Sequence, residues 1–357
     1  MSEEFPRYPT APNSLFAQWS WKPPAHWLRV TTIDTHSGGE PLRIVTSGLP
    51  EIKGRTVIEK RRYFMENFDS LRRGLLREPR GHADMYGAIL TPPADDADLD
   101  VFFINTEGYS PMCGHAILAI TKVVLETGIV RKSGERPELV INVPPGRNFA
   151  KAIVEHGEVR HASFQNVPSF VYLRDKQVDV PGLGSVTFDV AFGGAFYAIV
   201  DAGPLKVGLT AEHYNTLIDF GRRIKRAVLA HFPIEHPFEP DLSSLFGVIF
   251  TGEADNSSNH SRNVTIFEDG EVDRSATGTG VSARAALLCA QGKLHLDQRI
   301  TIESILGSTM TVEAVKNVKF GPYDAVIPEV GGSAHITGQS ELCFDPRDPL
   351  NAGFIFR

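Results

Sequence analysis

Two short segments of this sequence place a thiol or a hydroxyl, then a glycine, where an apolar helix is set to begin. The first is Met112-Cys113-Gly114-His115, ahead of Ala116-Ile117-Leu118-Ala119-Ile120. The second is Asp273-Arg274-Ser275-Ala276-Thr277-Gly278-Thr279-Gly280, ahead of Val281-Ser282-Ala283-Arg284-Ala285-Ala286-Leu287-Leu288. The first N–H groups of a helix lack intrahelical partners, and its positive dipole end favours an anion. A cysteine in that field is expected to ionise more readily and serve as a base. Thr277 has no such option, because an alkoxide is out of reach near neutral pH. If two such helix starts face each other across a cleft, a small carboxylate between them receives N–H groups from both sides, with the glycines allowing the backbone to come close. That arrangement suits chemistry at the carbon next to a carboxylate: a base removes the α-proton while N–H donors hold the negative charge.

The elements that must position these segments follow a repeated order. A β-branched run, Leu28 to Asp34, reads as a strand. It is followed by a Gly38-Gly39 turn and a second strand, Leu42-Arg43-Ile44-Val45. The same pattern recurs around Gly193-Gly194 within Val186 to Val200. In each half a helical stretch comes next, Val57 to Leu76 and Ala211 to Ala230, then more strands, then the glycine-bracketed helix start. This order predicts a tandem duplication of one α+β unit. Further strands are expected at 99–104, 138–143, 150–154, 247–250, 263–267 and 299–302, with 310–315 and 317–320 forming a hairpin. Closely spaced strands with short turns favour antiparallel sheet over βαβ units. Residues 1–25 read as an N-terminal extension, 26–182 as a first domain completed by 338–357, and 183–337 as a second domain. The Pro181-Gly182-Leu183-Gly184 turn lies near the boundary.

Composition narrows the class. The chain has 357 residues, enough for two domains, with a formal net charge of −7. No basic block appears, which argues against nucleic acid as a partner. No apolar run is long enough to span a bilayer. Met1-Ser2-Glu3-Glu4-Phe5-Pro6 lacks the basic and apolar regions of a signal peptide. Three scattered cysteines, Cys113, Cys289 and Cys343, fit a reducing compartment rather than a disulfide framework. These features together read as a cytoplasmic protein.

Four motifs in order resemble the proline racemase family. They are Asp34-Thr35-His36-Ser37-Gly38-Gly39-Glu40-Pro41, Glu78-Pro79-Arg80-Gly81-His82-Ala83-Asp84-Met85-Tyr86-Gly87, Met112-Cys113-Gly114-His115, and Asp273 to Gly280. The resemblance runs from about Val30 to Gly338. It implies an α+β fold of two pseudo-symmetric domains, each a mainly antiparallel curved sheet around a central helix, as in diaminopimelate epimerase, with the active site in the interdomain cleft. It implies no metal and no organic cofactor, and a homodimer. Family racemases carry a cysteine in both helix-start motifs. This sequence departs at Thr277, and its Cys/Thr pair is similar to the trans-3-hydroxy-L-proline dehydratase branch. On that resemblance Cys113 removes the α-proton and the 3-hydroxyl leaves as water. The backbones of Gly114, His115, Gly278 and Thr279 hold the carboxylate. Asp273 meets the ring nitrogen with His115 assisting, and Tyr86 and Phe267 wall the ring of a hydroxyproline substrate.

Plainer readings stand beside these. A lone cysteine before a helix is often just a small buried hydrophobe. Asp273 can serve as a cap or turn residue. Thr277-Gly278-Thr279-Gly280 lacks the full dinucleotide fingerprint and a P-loop lysine. His36 and His82 read as structural hydrogen-bonding groups, Cys289 and Cys343 as core, and Glu253, Asp255 and residues 256–260 as a polar loop near the cleft. The rival functions are a cofactor-independent proline or hydroxyproline epimerase and a non-catalytic protein that binds proline-like ligands.

Overall fold

The computed structural model describes residues 20–356, so most of the expected N-terminal extension lies outside the described residues. The chain makes two passes through one order of elements. The first runs β1 (Leu28–Ser37), β2 (Glu40–Ser47), α1 (Val57–Leu76), β3 (Tyr86–Thr91), β4 (Leu99–Asn105), β5 (Tyr109–Ser110), α2 (Gly114–Glu126), β6 (Glu138–Val143), β7 (Gly146–Glu155) and β8 (Glu158–Gln165). After β9 (Ser169–Val180) the second pass repeats it. It runs β10 (Gly184–Phe192), β11 (Phe196–Asp201), α3 (Tyr214–His231), β12 (Leu245–Gly252), β13 (Ser261–Phe267), β14 (Glu271–Val272), α4 (Gly278–Ala290), β15 (Arg299–Glu303), β16 (Thr309–Phe320) and β17 (Tyr323–Gly332). β18 (His335–Phe344) ends the series.

The two passes match in detail. α2 and α4 are each 13 residues long, and each is followed by a glycine of positive φ, Gly128 and Gly292. Both helices are buried along most of their length, as expected where apolar side chains cover a helix all round. α2 packs on β1, β7 and β8, and α4 on β9, β10, β16 and β17. α1 and α3 lie outside with mixed faces, and α1 begins with a full capping box between Thr56 and Glu59.

Pairing is mainly antiparallel, but four pairs are parallel: β2–β3, β11–β12, β4–β6 and β13–β15. In each, a helix spans the crossover, so βαβ units are more prominent than the strand spacing suggested. β9 pairs with β10 and β17, and the turn expected at Pro181-Gly182-Leu183 closes the β9–β10 hairpin. β18 returns to pair with β1, and Phe354 bridges Glu78. The hairpin expected at 310–320 is instead one strand, β16, with an irregularity between Ala314 and Lys316. The true turn comes at Gly321, where φ is +57°.

β8 pairs with β17 and joins the two sheets. The central hydrophobic cluster is shared, containing Ile117, Leu118 and Ile120 of α2 together with Val281, Ala285 and Leu288 of α4. Two further clusters are local, one under α1 and one under α3.

Candidate active site

The beginnings of α2 and α4 meet. A Cβ placed on Gly114 would lie 2.5 Å from the Gly278 Cα, and one on Gly278 would lie 2.5 Å from the Gly114 Cα. Only glycine permits this approach. Intrahelical bonding begins at Ile117 N–H to Cys113 O and at Val281 N–H to Thr277 O. The N–H groups of Gly114 and His115, and of Gly278 and Thr279, therefore lie ahead of the first helical bond, in the position for anion capture.

Beside this junction is a small cavity lined by Tyr86, Met112, Cys113, Gly114, His115, Tyr197, Phe246, Phe267, Asp273, Thr277, Gly278 and Thr279. Every residue singled out from the sequence as a candidate for catalysis or substrate contact is on this wall. The cavity measures about 20 Å³, space for roughly one water.

Cys113 caps α2 with extended backbone, and its sulfur lies 3.2 Å from His115 Nδ1. The expected thiolate-favouring donors are present, for the Ala116 N–H and the Tyr86 hydroxyl both pull the thiol pKa down. They are outweighed. Burial, followed by the carboxylates of Asp273 and Glu40, pushes it well above the ordinary thiol value. Burial also lowers the His115 pKa, which Asp273 partly restores. With the cavity closed, the pair rests as thiol and neutral imidazole. His115 is held from behind by the Pro41 carbonyl.

Thr277 is the corresponding cap of α4, with φ +68° and ψ +95°. That conformation is unusual for a β-branched residue and marks a strained, over-determined position. Its N–H donates to Ser275 Oγ at 3.0 Å, and its hydroxyl donates to Thr265 Oγ1 at 2.6 Å. The hydroxyl proton is thus directed to a neighbouring threonine. Asp273 is buried and accepts the Ser275 N–H at 2.7 Å, so the turn-capping reading is also satisfied.

The aromatic wall is larger than the sequence indicated. Phe246 stacks on Phe267 with centroids 5.3 Å apart, and Tyr86 meets both Phe267 and His115 edge-on. Tyr197, fully buried, shares a 2.7 Å hydrogen bond with Thr279 Oγ1. Tyr197 occupies the place after the Gly193-Gly194 turn that Leu42 holds after Gly38-Gly39, and nothing local in the sequence marked it. Gly193 itself packs against the start of α4, where a Cβ would lie 2.2 Å from the Thr279 carbonyl oxygen. Glu40 was quoted in a motif without a role. It is fully buried, with Oε2 accepting the Arg274 N–H at 2.7 Å and Oε1 lacking a partner among the described residues. Burial first, and then Asp273, push its pKa well above the usual carboxylate range.

Other expectations resolve as follows. His36 and His82 each accept a backbone N–H, from Gly39 and Asp84. Cys289 is half-buried and packs against the core, but Cys343 is on β18, whose outward face is exposed, and is not a core residue. The polar loop at 253–260 does not border the cavity. It lies beyond the Gly252–Arg262 end of the β12–β13 pair, opposite the Phe267 end, where Glu303 accepts the Asp255 and Asn256 N–H groups. Among the described residues, no group of three or more His, Cys, Asp or Glu side chains is placed to hold a metal ion. No helix among them is long and apolar enough to cross a membrane.

The sequence profile of the proline racemase family matches residues 32–355. A trans-3-hydroxy-L-proline dehydratase from Colwellia psychrerythraea is 49% identical over 96% of this chain and 97% of its own. A 3-hydroxyproline 2-epimerase from Burkholderia multivorans is 42% identical over 92% of this chain and 98% of its own. Among solved structures, a hydroxyproline epimerase from Agrobacterium vitis, with trans-4-hydroxy-L-proline bound, superposes with a TM-score of 0.89. It is 28% identical, and the match covers 93% of this chain and 96% of that one.

Proposed function

The chain belongs to the proline racemase family, and we propose that within it this enzyme is a trans-3-hydroxy-L-proline dehydratase, a hydro-lyase of the cytoplasm. The observation that carries the reading is the asymmetry of the two helix starts. One presents a thiol against an imidazole, and the other presents a threonine, which cannot become a base because an alkoxide is out of reach near neutral pH. A racemase needs acid–base groups on both ring faces, whereas dehydration needs one base and a departing group. Relatives named as dehydratases support the same conclusion.

In this mechanism the substrate carboxylate lies between the helix starts, taking N–H groups from Gly114, His115, Gly278 and Thr279. The ring ammonium lies against Asp273, aided by His115, and neutralises the charge that raises the Cys113 pKa. The thiol proton passes out through His115, 3.2 Å away. The Cys113 thiolate then takes the α-proton. The carbanion is held by the N–H donors at the carboxylate; its electron pair then becomes the C2–C3 double bond as the C3–O bond breaks, and the departing oxygen takes a proton and leaves as water. The resulting enamine tautomerises to Δ1-pyrroline-2-carboxylate. Tyr86, Phe267 and Phe246 enclose the ring and exclude solvent, which strengthens every polar contact inside.

The test is to incubate enzyme with trans-3-hydroxy-L-proline and trap the cyclic imine with o-aminobenzaldehyde. Coloured adduct should form with the wild type. With Cys113→Ala it should fall at least about a hundredfold, since a positioned general base contributes roughly 10²–10⁴-fold. Absence of adduct with the wild type, or near-normal turnover by the alanine variant, contradicts the assignment.

A further inference from the structure

Dehydration also requires a proton for the departing hydroxyl, because hydroxide is a poor leaving group. The substrate's stereochemistry says where that proton must come from. In trans-3-hydroxy-L-proline the carboxylate and the hydroxyl lie on opposite ring faces, so the α-hydrogen and the hydroxyl share a face. The base that removes the α-hydrogen therefore faces the leaving group as well. The proton donor belongs on the Cys113 side of the cavity, not on the Thr277 side.

Few groups on that side carry a suitable proton. Tyr86 opens β3, fully buried, and lines the cavity with Cys113. Its hydroxyl donates to Ser110 Oγ, a bond the phenol must exchange for the leaving oxygen, and Ser110 in turn donates to the Met112 carbonyl at 3.4 Å, one residue before Cys113. Its ring meets the His115 ring edge-on at 5.2 Å. The phenol thus stands beside the thiol, and a serine hydroxyl fixes its direction. A phenylalanine would wall the ring equally well, so wall-building alone does not account for the buried hydroxyl.

We propose that Tyr86 is a catalytic acid that protonates the departing 3-hydroxyl on the Cys113 face. The step balances without any outside reagent. Cys113 thiolate takes the α-proton and becomes the thiol. The C–H pair is held first as a carbanion beside the N–H donors at the carboxylate, and then forms the C2–C3 double bond as the C3–O bond breaks. The leaving oxygen takes the phenolic proton and departs as water. The Tyr86 phenolate then recovers a proton from the Cys113 thiol, restoring both groups. Burial favours this assignment, because it keeps the phenol protonated until the stronger base, the departing hydroxide, develops beside it.

This inference rests on the dehydratase reading, and one experiment separates the two. Wild type and Tyr86→Phe are compared with trans-3-hydroxy-L-proline in D₂O, following both imine formation and α-deuterium in recovered substrate by proton NMR. Elimination by the variant should fall at least about a hundredfold, the lower bound for a positioned general acid. α-Exchange should stay within about tenfold of wild type, the weight of one hydrogen bond. Deuterated, unreacted substrate should therefore accumulate. Undiminished elimination by the variant would overturn the role of Tyr86 and leave the donor to Cys113 or His115. A parallel loss of exchange and elimination would overturn it too, placing Tyr86 behind the base. A wild-type enzyme that forms no imine contradicts the dehydratase reading itself.

Discussion

At the scale of single residues, the cavity is controlled by what Cys113 and Thr277 can do with a proton. Sequence alone pointed to an activated thiolate at a helix start. The donors are there, but burial and two neighbouring carboxyl groups outweigh them in the closed cavity. Catalysis needs the thiolate, and the thiol pKa is shifted upward. The kcat/KM should therefore rise with pH from neutrality, with slope near one, and level only above about pH 8.5, the ordinary thiol value. A pH–rate profile that is flat between about pH 6 and 8 would contradict this reading. Thr277 makes the converse prediction. Thr277→Cys places a second thiol on the opposite face, so the variant should slowly convert L-proline into α-deuterated D-proline in D₂O, while dehydration falls. Chiral chromatography that finds no D-proline would remove Thr277 as the switch. Eight of the nine candidate residues were readable because they fall in compact motifs, and Phe267 came only from the family resemblance. Tyr197, Phe246 and Glu40 were not, because their roles arise from contacts between segments distant in sequence.

At the scale of elements, the decisive feature is the abutment of α2 and α4. Gly114→Ala puts a methyl group 2.5 Å from the Gly278 backbone, with no flexible side chain to yield. Overpacking of this kind costs about 1–3 kcal/mol or more, so the melting temperature should drop by several degrees and turnover should be lost with it. A variant with wild-type stability and activity would mean that the helix starts are not in contact. The strand–turn–strand opening, α1 and both buried helices were readable from periodicity and glycine placement. The unbroken β16 was not, because a bulge after Ala314 looks in sequence like a turn. The parallel crossovers were hidden for a related reason: a strand's partner is set by tertiary packing and leaves no local signature.

At the scale of the whole molecule, two similar halves are fused by a shared core and by the β8–β17 pairing. Ion pairs such as Arg61–Asp241 and Arg274–Asp84 cross from one half to the other. The halves should therefore unfold together, and scanning calorimetry should show one transition whose calorimetric and van't Hoff enthalpies agree. Two resolved peaks would show that each half is stable alone. A cavity that holds about one water must also widen to admit a five-membered ring, and the residues that close it come from both halves. The duplicated architecture thus creates a solvent-excluded site with two helix starts, of which only one carries a base. The most direct test of that claim is a proton NMR time course of the wild-type enzyme with trans-3-hydroxy-L-proline in D₂O. The account predicts loss of substrate with matching growth of Δ1-pyrroline-2-carboxylate and no inversion at C2. Accumulation of cis-3-hydroxy-D-proline in place of the imine would contradict it and establish epimerisation instead.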